Sequence, residues 1–318
     1  MNPLHRRSFF QTVAAAGIVP TSANAPQGKV PVLPPHPGPE IRRGPYLQAQ
    51  GPDRIVIRWR TDGLAEKCRV RFGDDPDSLT KAMPARLLST PFEGVHDWEA
   101  TIDGLEAGHR YYYAIESSTA ILAGADEAHQ FRTAPARGKP APVRFWVLGD
   151  CGTNRIDTGA PGKSVAARNG FRKFNRGRRD LDGIILLGDN AYSHGTDAQY
   201  QTALFSVYQD ELRNLPLWPC IGNHELTDDY LSIFTVPENG ELGGVPSGSL
   251  KHYSFDYANI HFVVLDLWKT EWRTPDAPQL AWLERDLATT RQDWLVVINH
   301  FPPYCDGKYE SDSNGFLV

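Results

Sequence analysis

The sequence lacks any long hydrophobic run: no apolar stretch in its 318 residues approaches the ~20 residues that a membrane-spanning helix needs. It also lacks an excess of positive charge, with 33 Lys and Arg against 38 Asp and Glu, which argues against a generic nucleic-acid-binding protein. It contains no internal repeat and no low-complexity tract. What is present is an ordinary globular composition, 41% hydrophobic, with enough length for two domains.

Cysteine is scarce as well, and its spacing carries little information. The four cysteines form no Cys-x-x-Cys pair. Four cysteines allow three complete disulfide pairings, and the sequence does not choose among them. Each cysteine fits equally well as a small buried apolar side chain, so no disulfide is predicted. The four are Cys68, Cys151, Cys220 and Cys305.

The first 25 residues have the order of an export signal. The pair Arg6-Arg7 precedes Ser-Phe-Phe, residues 12–19 are mildly apolar, and small residues end the segment at Ala25. A basic start, an apolar middle and a small-residue end predict a cleaved signal peptide. The paired arginines resemble the twin-arginine signal, which is an address rather than an anchor. We therefore expect export by the twin-arginine machinery to the periplasm or the exterior.

A linker and a strand-rich region follow the signal. Residues 26–40 are rich in proline and are predicted to be a stiff, extended linker. Residues 41–135 contain short alternating runs separated by Gly, Pro and Asp, which predict a β-sandwich of about 100 residues. Residues 105–113 resemble the turn and strand of a fibronectin type III module, in which a tyrosine pins the corner. The strand-like runs are 55–60, 69–72, 110–115 and 129–133.

After Pro142 the periodicity changes to that of a layered α/β domain, in which β-sheets are flanked by helices. Apolar runs at 143–148, 184–187, 260–265 and 295–298 are predicted to be buried strands, with helical segments between them. Two sets of side chains at helical spacing are each predicted to share one face. They are Tyr200, Leu204, Val207 and Tyr208, and then Leu280, Leu283 and Leu287.

Polar side chains follow the predicted strands at the points where the apolar runs end. In open α/β sheets ligands bind at the carboxyl ends of the strands, so these side chains are expected to converge on one edge. Glycines beside three of them allow the backbone to turn sharply there. The candidate residues are Asp150, Asp189, Tyr192, Asn223, His224 and His300.

The types of these residues suit a metal site. Two carboxylates, an amide oxygen, a phenol and imidazole nitrogen form a mixed oxygen and nitrogen set that fits Fe(III), Fe(II), Mn(II) or Zn(II). A carboxylate can bridge two cations, and two metals about 3.5–4 Å apart can hold a phosphoryl oxygen and activate a water. The residues therefore predict a metal-dependent hydrolase.

The ordered motifs Asp-x-Gly, Gly-Asp-x-x-Tyr, Gly-Asn-His-Glu and Val-x-x-His resemble those of the calcineurin-like metallophosphoesterases. Tyr192 in the second motif resembles the tyrosine of the purple acid phosphatases within that superfamily. The strand-rich region at 41–135 looks like the N-terminal domain of the same family. The resemblance thus covers the chain from about residue 41 onward and assigns 143–318 to the phosphoesterase domain.

The resemblance implies a binuclear centre of Fe(III) plus divalent Fe, Zn or Mn. Asp150 and Tyr192 would hold the ferric ion, and Asp189 would bridge the two metals. Asn223 and His300 would hold the divalent ion. The implied reaction is hydrolysis of a small phosphomonoester by attack of a metal-bound hydroxide, while His224 protonates the leaving group as the catalytic acid.

The sequence departs from the family pattern at its end. The family closes its site with a Gly-His-x-His motif, which occurs nowhere here, and neither His194, His252 nor His261 has that spacing. We expect from this that the sequence is truncated at its C-terminus. Two alternatives stay open: a phosphodiesterase or nucleotidase of the same superfamily, and a non-catalytic relative that joins an adhesion-like module to a degenerate phosphoesterase domain.

Overall fold

The computed structural model of the protein describes residues 39–153, 162–176, 180–268 and 277–302. The expected export signal at 1–25, nearly all of the expected linker and Cys305 lie outside the described residues. None of the described helices is long and apolar enough to cross a bilayer.

Alternating side chains in the N-terminal region fold into two antiparallel sheets. One sheet has the order β1-β2-β6-β5, and the other has the order β4-β3-β7-β8 with β9 also paired to β7. The strands are β1 (Ile41–Gln48), β2 (Arg54–Thr61), β3 (Arg69–Gly73), β4 (Lys81–Pro84), β5 (Arg86–Leu87), β6 (His96–Asp103), β7 (Arg110–Glu116), β8 (Ile121–Gly124) and β9 (Gln130–Arg132).

The two sheets bury one apolar core between them, which confirms the sheet-rich N-terminal region expected from the sequence. Trp59 and Trp98 from the first sheet and Val70 and Tyr113 from the second are buried in this core. At the corner before β7, the Tyr111 phenol oxygen accepts a hydrogen bond from the backbone N–H of Glu106 at 3.0 Å. A tyrosine therefore ties the turn to the strand, as the segment 105–113 predicts.

The second region alternates strands and helices. Its first sheet has the order β10-β11-β12 with parallel neighbours, and its second has the order β13-β14-β15 with β14 and β15 parallel. The elements are β10 (Phe145–Leu148), α1 (Lys163–Asn175), β11 (Gly183–Leu186), α2 (Asp197–Tyr200), a π-helical turn (Gln201–Phe205), α3 (Gln209–Leu212), β12 (Leu217–Pro219), α4 (Asp229–Ile233), β13 (Tyr253–Tyr257), β14 (Ile260–Val264), α5 (Pro278–Thr289) and β15 (Trp294–Ile298).

Strand β11 has both of its faces buried. Ile185 belongs to a core in which Trp218 stacks on Phe255 with ring centroids 3.6 Å apart, and this core joins the two sheets. Ile184 and Leu186 face the opposite core, which is closed by the α2–α3 segment. A strand covered on both faces is apolar without alternation, as residues 184–187 predict. The predicted apolar face of that segment is also confirmed, because Tyr200, Leu204, Val207 and Tyr208 are all buried.

The three predicted leucines of helix α5 lie on one side of the helix, and the residues most deeply buried lie beside them. Leu287 is 37% exposed, whereas Gln279, Trp282 and Asp286 are buried. The carboxylate of Asp286 accepts a hydrogen bond from the backbone N–H of Val245 at 2.8 Å and one from the Ser254 hydroxyl at 2.7 Å. Because these buried polar groups are satisfied inside the fold, the helix face carrying them packs inward and the leucine face lies toward its edge.

Strand β15 is a second correction. The apolar run 295–298 predicts a buried strand, yet Leu295 and Val297 are 49% and 47% exposed and Ile298 alone in the run is buried. Strand β15 pairs with β14 alone, and the described residues leave both of its faces largely uncovered, whereas β13 at the other edge of the sheet is buried.

Three described cysteines are free thiols, and all three are buried. They are Cys68, Cys151 and Cys220. Burial raises the pKa of each thiol, which keeps it protonated and unreactive. These three therefore behave as small buried apolar side chains.

Candidate metal centre

The predicted site residues converge where the strands of both sheets end. Asp150 follows β10, Asp189 and Tyr192 follow β11, Asn223 and His224 follow β12, and His300 follows β15. The ligand atoms of Asp150, Asp189 and His300 lie within 4.8 Å of one another. We call Asp150, Asp189, Tyr192, Asn223 and His300 the donor cluster.

Two carboxylates of the donor cluster face a single hydroxyl hydrogen, that of Tyr192. The Tyr192 phenol oxygen lies 2.9 Å from Asp150 Oδ1 and 2.7 Å from Asp189 Oδ2, although the phenol has one hydrogen to donate. Burial raises the pKa of Tyr192, and the two carboxylates raise it further. In the part of the chain that the structure describes, no Lys or Arg forms an ion pair with either carboxylate. The arrangement can therefore accept an external cation.

The imidazole of His300 turns its Nε2 toward two oxygens. Its Nδ1 lies 2.8 Å from the carbonyl oxygen of Leu187, which can only accept, so Nδ1 carries the hydrogen. Its Nε2 lies 3.0 Å from Asn223 Oδ1 and 3.4 Å from Asp189 Oδ1. Metal-binding histidines are held in this way, with the second ring nitrogen donating to a carbonyl. The electron-pair donors that meet here fit a cation placed among them.

Glycines allow the close approach of these loops. At Gly222 a Cβ atom would collide with the backbone nitrogen and Oδ1 of Asp189. At Gly188, where φ is +92°, a Cβ would lie 2.7 Å from Nδ1 of His300. Asp150 and Asp189 themselves adopt left-handed backbone conformations, at φ of 52° and 53°. Such conformations are tolerated by aspartate better than by most residues.

His224 lies beside the donor cluster, with its ring centroid 4.5 Å from that of Tyr192. Its backbone N–H donates to Asp189 Oδ1 at 2.9 Å. Its Nδ1 lies 2.8 Å from the carbonyl oxygen of Ser193 and so carries a hydrogen. Its Nε2 lies 3.9 Å from Asp189 Oδ2. The nitrogen that faces the cluster is therefore the one that is available for proton transfer.

Glu225 holds the loops of the site together, a role that sequence reasoning missed. Its buried carboxylate accepts hydrogen bonds from the backbone N–H groups of Asp189, Asn190 and Gly222 at 3.0, 2.8 and 2.6 Å. The Tyr200 hydroxyl adds a fourth at 3.2 Å. Burial raises the pKa of this carboxyl. The signal in the sequence is the glutamate in the segment Gly222-Asn223-His224-Glu225, where the preceding residues are a glycine and two candidate site residues.

The remaining histidines of the second region lie apart from the donor cluster. His261 is buried in β14 between Asp256 and Asp286, and His252 packs against the ring of Trp282. His194 is exposed, and its Nδ1 lies 2.7 Å from the hydroxyl of Ser193. Among the described residues none of the three joins the cluster.

Two family models match the chain. The calcineurin-like phosphoesterase family matches residues 143–317, which is more than half of the chain, and the purple acid phosphatase N-terminal domain matches residues 43–133. These two matches cover the two regions that the fold separates.

Several curated proteins are similar at modest identity. Purple acid phosphatase 21 of Arabidopsis thaliana is 25% identical over 280 residues, covering 83% of this chain and 57% of its own length. Purple acid phosphatase 15 of the same plant is 28% identical, covering 74% and 49%. A third Arabidopsis thaliana protein, named probable inactive purple acid phosphatase 24, is 26% identical and covers 54% and 30%. The chain thus spans about half the length of the first two of these relatives.

Proposed function

Because the chain belongs to the calcineurin-like phosphoesterase family, we propose that it is a two-metal phosphatase that hydrolyses small phosphomonoesters at the donor cluster. The observation that carries this proposal is the convergence of the Asp150, Asp189 and His300 ligand atoms, which have no Lys or Arg partner among the described residues. Carboxylate, phenol, amide and imidazole donors suit Fe(III) together with divalent Fe, Zn or Mn.

The residues divide between two cations. Asp150 and Tyr192 would hold Fe(III), and Asp189 would be shared between the two cations. Asn223 and His300 would hold the divalent ion. When bound, such a pair of cations polarises a phosphoryl oxygen and lowers the pKa of a water.

The protein's own contribution to proton transfer is His224. Its Nδ1 hydrogen is anchored on the Ser193 carbonyl, which fixes the ring and directs Nε2 toward the cluster. From this position Nε2 would donate a proton to the leaving oxygen of the ester, as a catalytic acid does.

The test is an assay of the purified chain loaded with iron and zinc or manganese, using an aryl phosphomonoester and the corresponding diester. We expect turnover of the monoester that chelation removes. Asp74→Asn, which alters an exposed carboxylate of the N-terminal region, is the matched control and should retain activity. Preferential turnover of the diester would replace the monoesterase with a phosphodiesterase or nucleotidase.

A second candidate is a degenerate relative that binds metal or phosphate without catalysis. A relative whose name says that it is probably inactive favours this candidate. Metal analysis separates the two candidates. Two metals per chain with a visible absorption band support the phosphatase, whereas one metal or none supports the degenerate protein.

Export is a proposal that rests on residues 1–25. Fusing this segment to a reporter in a bacterial host should deliver the reporter outside the cytoplasm. Replacing Arg6 and Arg7 by lysine should block delivery if the twin-arginine route is used. Unchanged delivery would point to a different route.

A further inference from the structure

Two segments that together carry three of the five donor-cluster residues both contact the N-terminal sheet β1-β2-β6-β5. We define the first site loop as residues 189–201, which contains Asp189 and Tyr192, and the second site loop as residues 222–235, which contains Asn223 and His224. Each of these loops is bonded to charged side chains of β1, β2 or β6. A domain without any residue in the donor cluster thus contacts the segments that build it.

Arg60 of β2 reaches the first site loop through a bridging contact. Its Nε and Nη2 donate to the two oxygens of Asp97 at 2.8 and 2.9 Å, and its Nη1 donates to Asp197 Oδ2 at 2.6 Å. Arg43 adds a contact from Nη2 to Asp197 Oδ1 at 2.8 Å and one from Nε to Gln201 Oε1 at 2.8 Å. The end of the first site loop is therefore fixed to two strands of the N-terminal sheet.

Arg58 and Glu99 hold the second site loop in the same way. Arg58 Nη1 donates to the carbonyl oxygen of Ile233 at 2.6 Å, and Nη2 donates to that of Ser232 at 2.7 Å. The hydroxyl of Thr235 donates to Glu99 Oε2 at 2.6 Å. These contacts fix the end of the loop that begins with Asn223 and His224.

The two loops are also bonded to each other close to the donor cluster. The backbone N–H of Asp197 donates to Asp229 Oδ2 at 2.6 Å, and the Thr227 hydroxyl donates to the Gly195 carbonyl at 2.9 Å. The N–H of Leu226 donates to the His194 carbonyl at 3.1 Å. A shift of Asp197 is therefore transmitted through both loops toward Tyr192 and His224.

The charges in this interface are buried and balanced. Three arginines face three carboxylates, and the side-chain exposure of these six residues is at most 19%. Removing ion pairs from water costs free energy that offsets much of their attraction, so buried pairs add little net stability. These ion pairs instead fix the relative positions of the strands and loops, because the N–H groups of a planar guanidinium point in set directions toward their acceptors. The six are Arg43, Arg58, Arg60, Asp97, Glu99 and Asp197.

We infer that Arg60 is a positioning residue for the donor cluster, and that the N-terminal sheet, through the Asp97–Arg60–Asp197 bridge, sets the placement of both site loops. Arg60 touches neither substrate nor metal in this scheme. The inference deepens the proposed function and rests on it where activity is the readout.

The test replaces Arg60 by lysine, which keeps the positive charge between the two carboxylates but offers one donor nitrogen in place of the three that bridge them. The matched control is Arg69→Lys. Arg69 also uses two nitrogens on one carboxylate, Glu116, at 3.0 and 2.8 Å, but it lies in the other N-terminal sheet. Both variants lose a guanidinium fork from the same domain, and of the two only Arg60→Lys alters a contact with a site loop.

We expect hydrogen–deuterium exchange of peptides from 189–201 and 222–235 to become about tenfold faster in Arg60→Lys, with no change in Arg69→Lys. In the loaded enzyme kcat should fall about tenfold or more while KM stays within about twofold, because small displacements of catalytic groups are costly. Asp197→Asn, which leaves the Arg60–Asp97 pair in place, should reproduce both effects. A purely structural role would instead lower the melting temperature of Arg60→Lys and Asp197→Asn without faster exchange confined to the two site loops.

Unchanged loop exchange in both Arg60→Lys and Asp197→Asn would overturn the inference, whatever their melting temperatures. If the wild-type chain shows no phosphatase activity, the proposed function fails while the exchange comparison on the metal-free protein still decides the role of Arg60. If Arg60→Lys does not fold, Asp197→Asn alone decides it by the same exchange measurement.

Discussion

Two pairs of carboxylates in the second region face very different partners. At the strand ends, Asp150 and Asp189 both point at the phenol of Tyr192. Farther along the chain, Asp256 of β13 and Asp286 of α5 point at the two nitrogens of His261, each at 2.7 Å. The first pair shares one neutral hydrogen, and the second shares a ring that can carry a full positive charge.

The difference shows where the chain supplies its own cation and where it leaves one to be bound. Burial by itself would lower the pKa of His261, but the hydrogen bonds and charges of Asp256 and Asp286 raise it to about 9. The second pair is thus neutralised internally and serves the stability of the fold. The donor cluster has no Lys or Arg partner among the described residues, and the imidazoles nearest to Asp189, those of His300 at 3.4 Å and His224 at 3.9 Å, lie farther from it than His261 lies from its two carboxylates.

The largest expected effect comes from Asp189→Asn. Removing the carboxylate that faces both Tyr192 and His300 should abolish metal uptake and lower kcat more than about 100-fold, since even second-layer partners of metal ligands cost 10–100-fold. The metal-free variant should be at least as stable as the wild type, because one of two facing negative charges is gone. Metal analysis and thermal unfolding with and without metal measure this.

The matched control is Asp256→Asn in the internally neutralised pair. It should lower stability by about 1–3 kcal/mol and leave metal uptake unchanged. If Asp189→Asn and Asp256→Asn had the same effects on metal uptake and on stability, the two pairs of carboxylates would not differ in role.

Next in size is His261→Gln. The substitution leaves two buried carboxylates without their cation, so the free energy of unfolding should fall by about 3–5 kcal/mol in urea titrations. His109→Gln is the control, because His109 pairs with Asp74 at an exposed position where ion pairs contribute about 0–1 kcal/mol. A loss below about 1 kcal/mol at His261 would contradict the role given to this triad.

The pH dependence of stability should follow from the same group. The pKa of His261 rises from its usual 6.5 to about 9 on folding, so its contribution is complete below pH 6.5 and is lost as pH rises through 9. Burial alone would raise the pKa of Asp286, but its bond to His261 lowers it, so its contribution is complete above its usual 3.8 and is lost as pH falls further.

The stability gap between wild type and His261→Gln should therefore be widest from about pH 4 to 6.5 and narrow by about 3 kcal/mol above pH 9. Urea titrations of both proteins across this range measure the gap. A gap that is constant from pH 5 to 9.5 would show that His261 does not carry the charge.

The smallest effect is expected for Tyr192→Phe in the metal-free chain, a stability change of about 1 kcal/mol. In the iron-loaded protein the same change should remove the visible absorption band. Tyr111→Phe removes a comparable hydrogen bond at the corner of the N-terminal region and should leave metal binding intact. A band that survives in Tyr192→Phe would remove the phenol from the metal site.

Much of the architecture could be predicted because its signals are local. The run 184–187 is apolar throughout since both faces of β11 are covered, and Asp189 follows it within three residues. Strand β6 was missed because buried Asp97 and Glu99 make it read as a polar segment, although arginines of β2 pair with both. The sequence does not mark the buried face of α5 for a similar reason, since Asp286 is buried by bonding to distant partners.

The sequence by itself determined which donor atoms stand at the strand ends, in what order, and on which class of fold. The tertiary structure alone decided which carboxylates pair with a cationic side chain of the protein and which do not. Arg60 meets Asp197 across 137 positions of the chain, and His261 meets Asp286 across 25. An ion pair depends on two atoms lying within a few ångströms, and neither residue type nor spacing records that distance. Only the folded chain separates carboxylates that hold the protein together from those left to hold a metal.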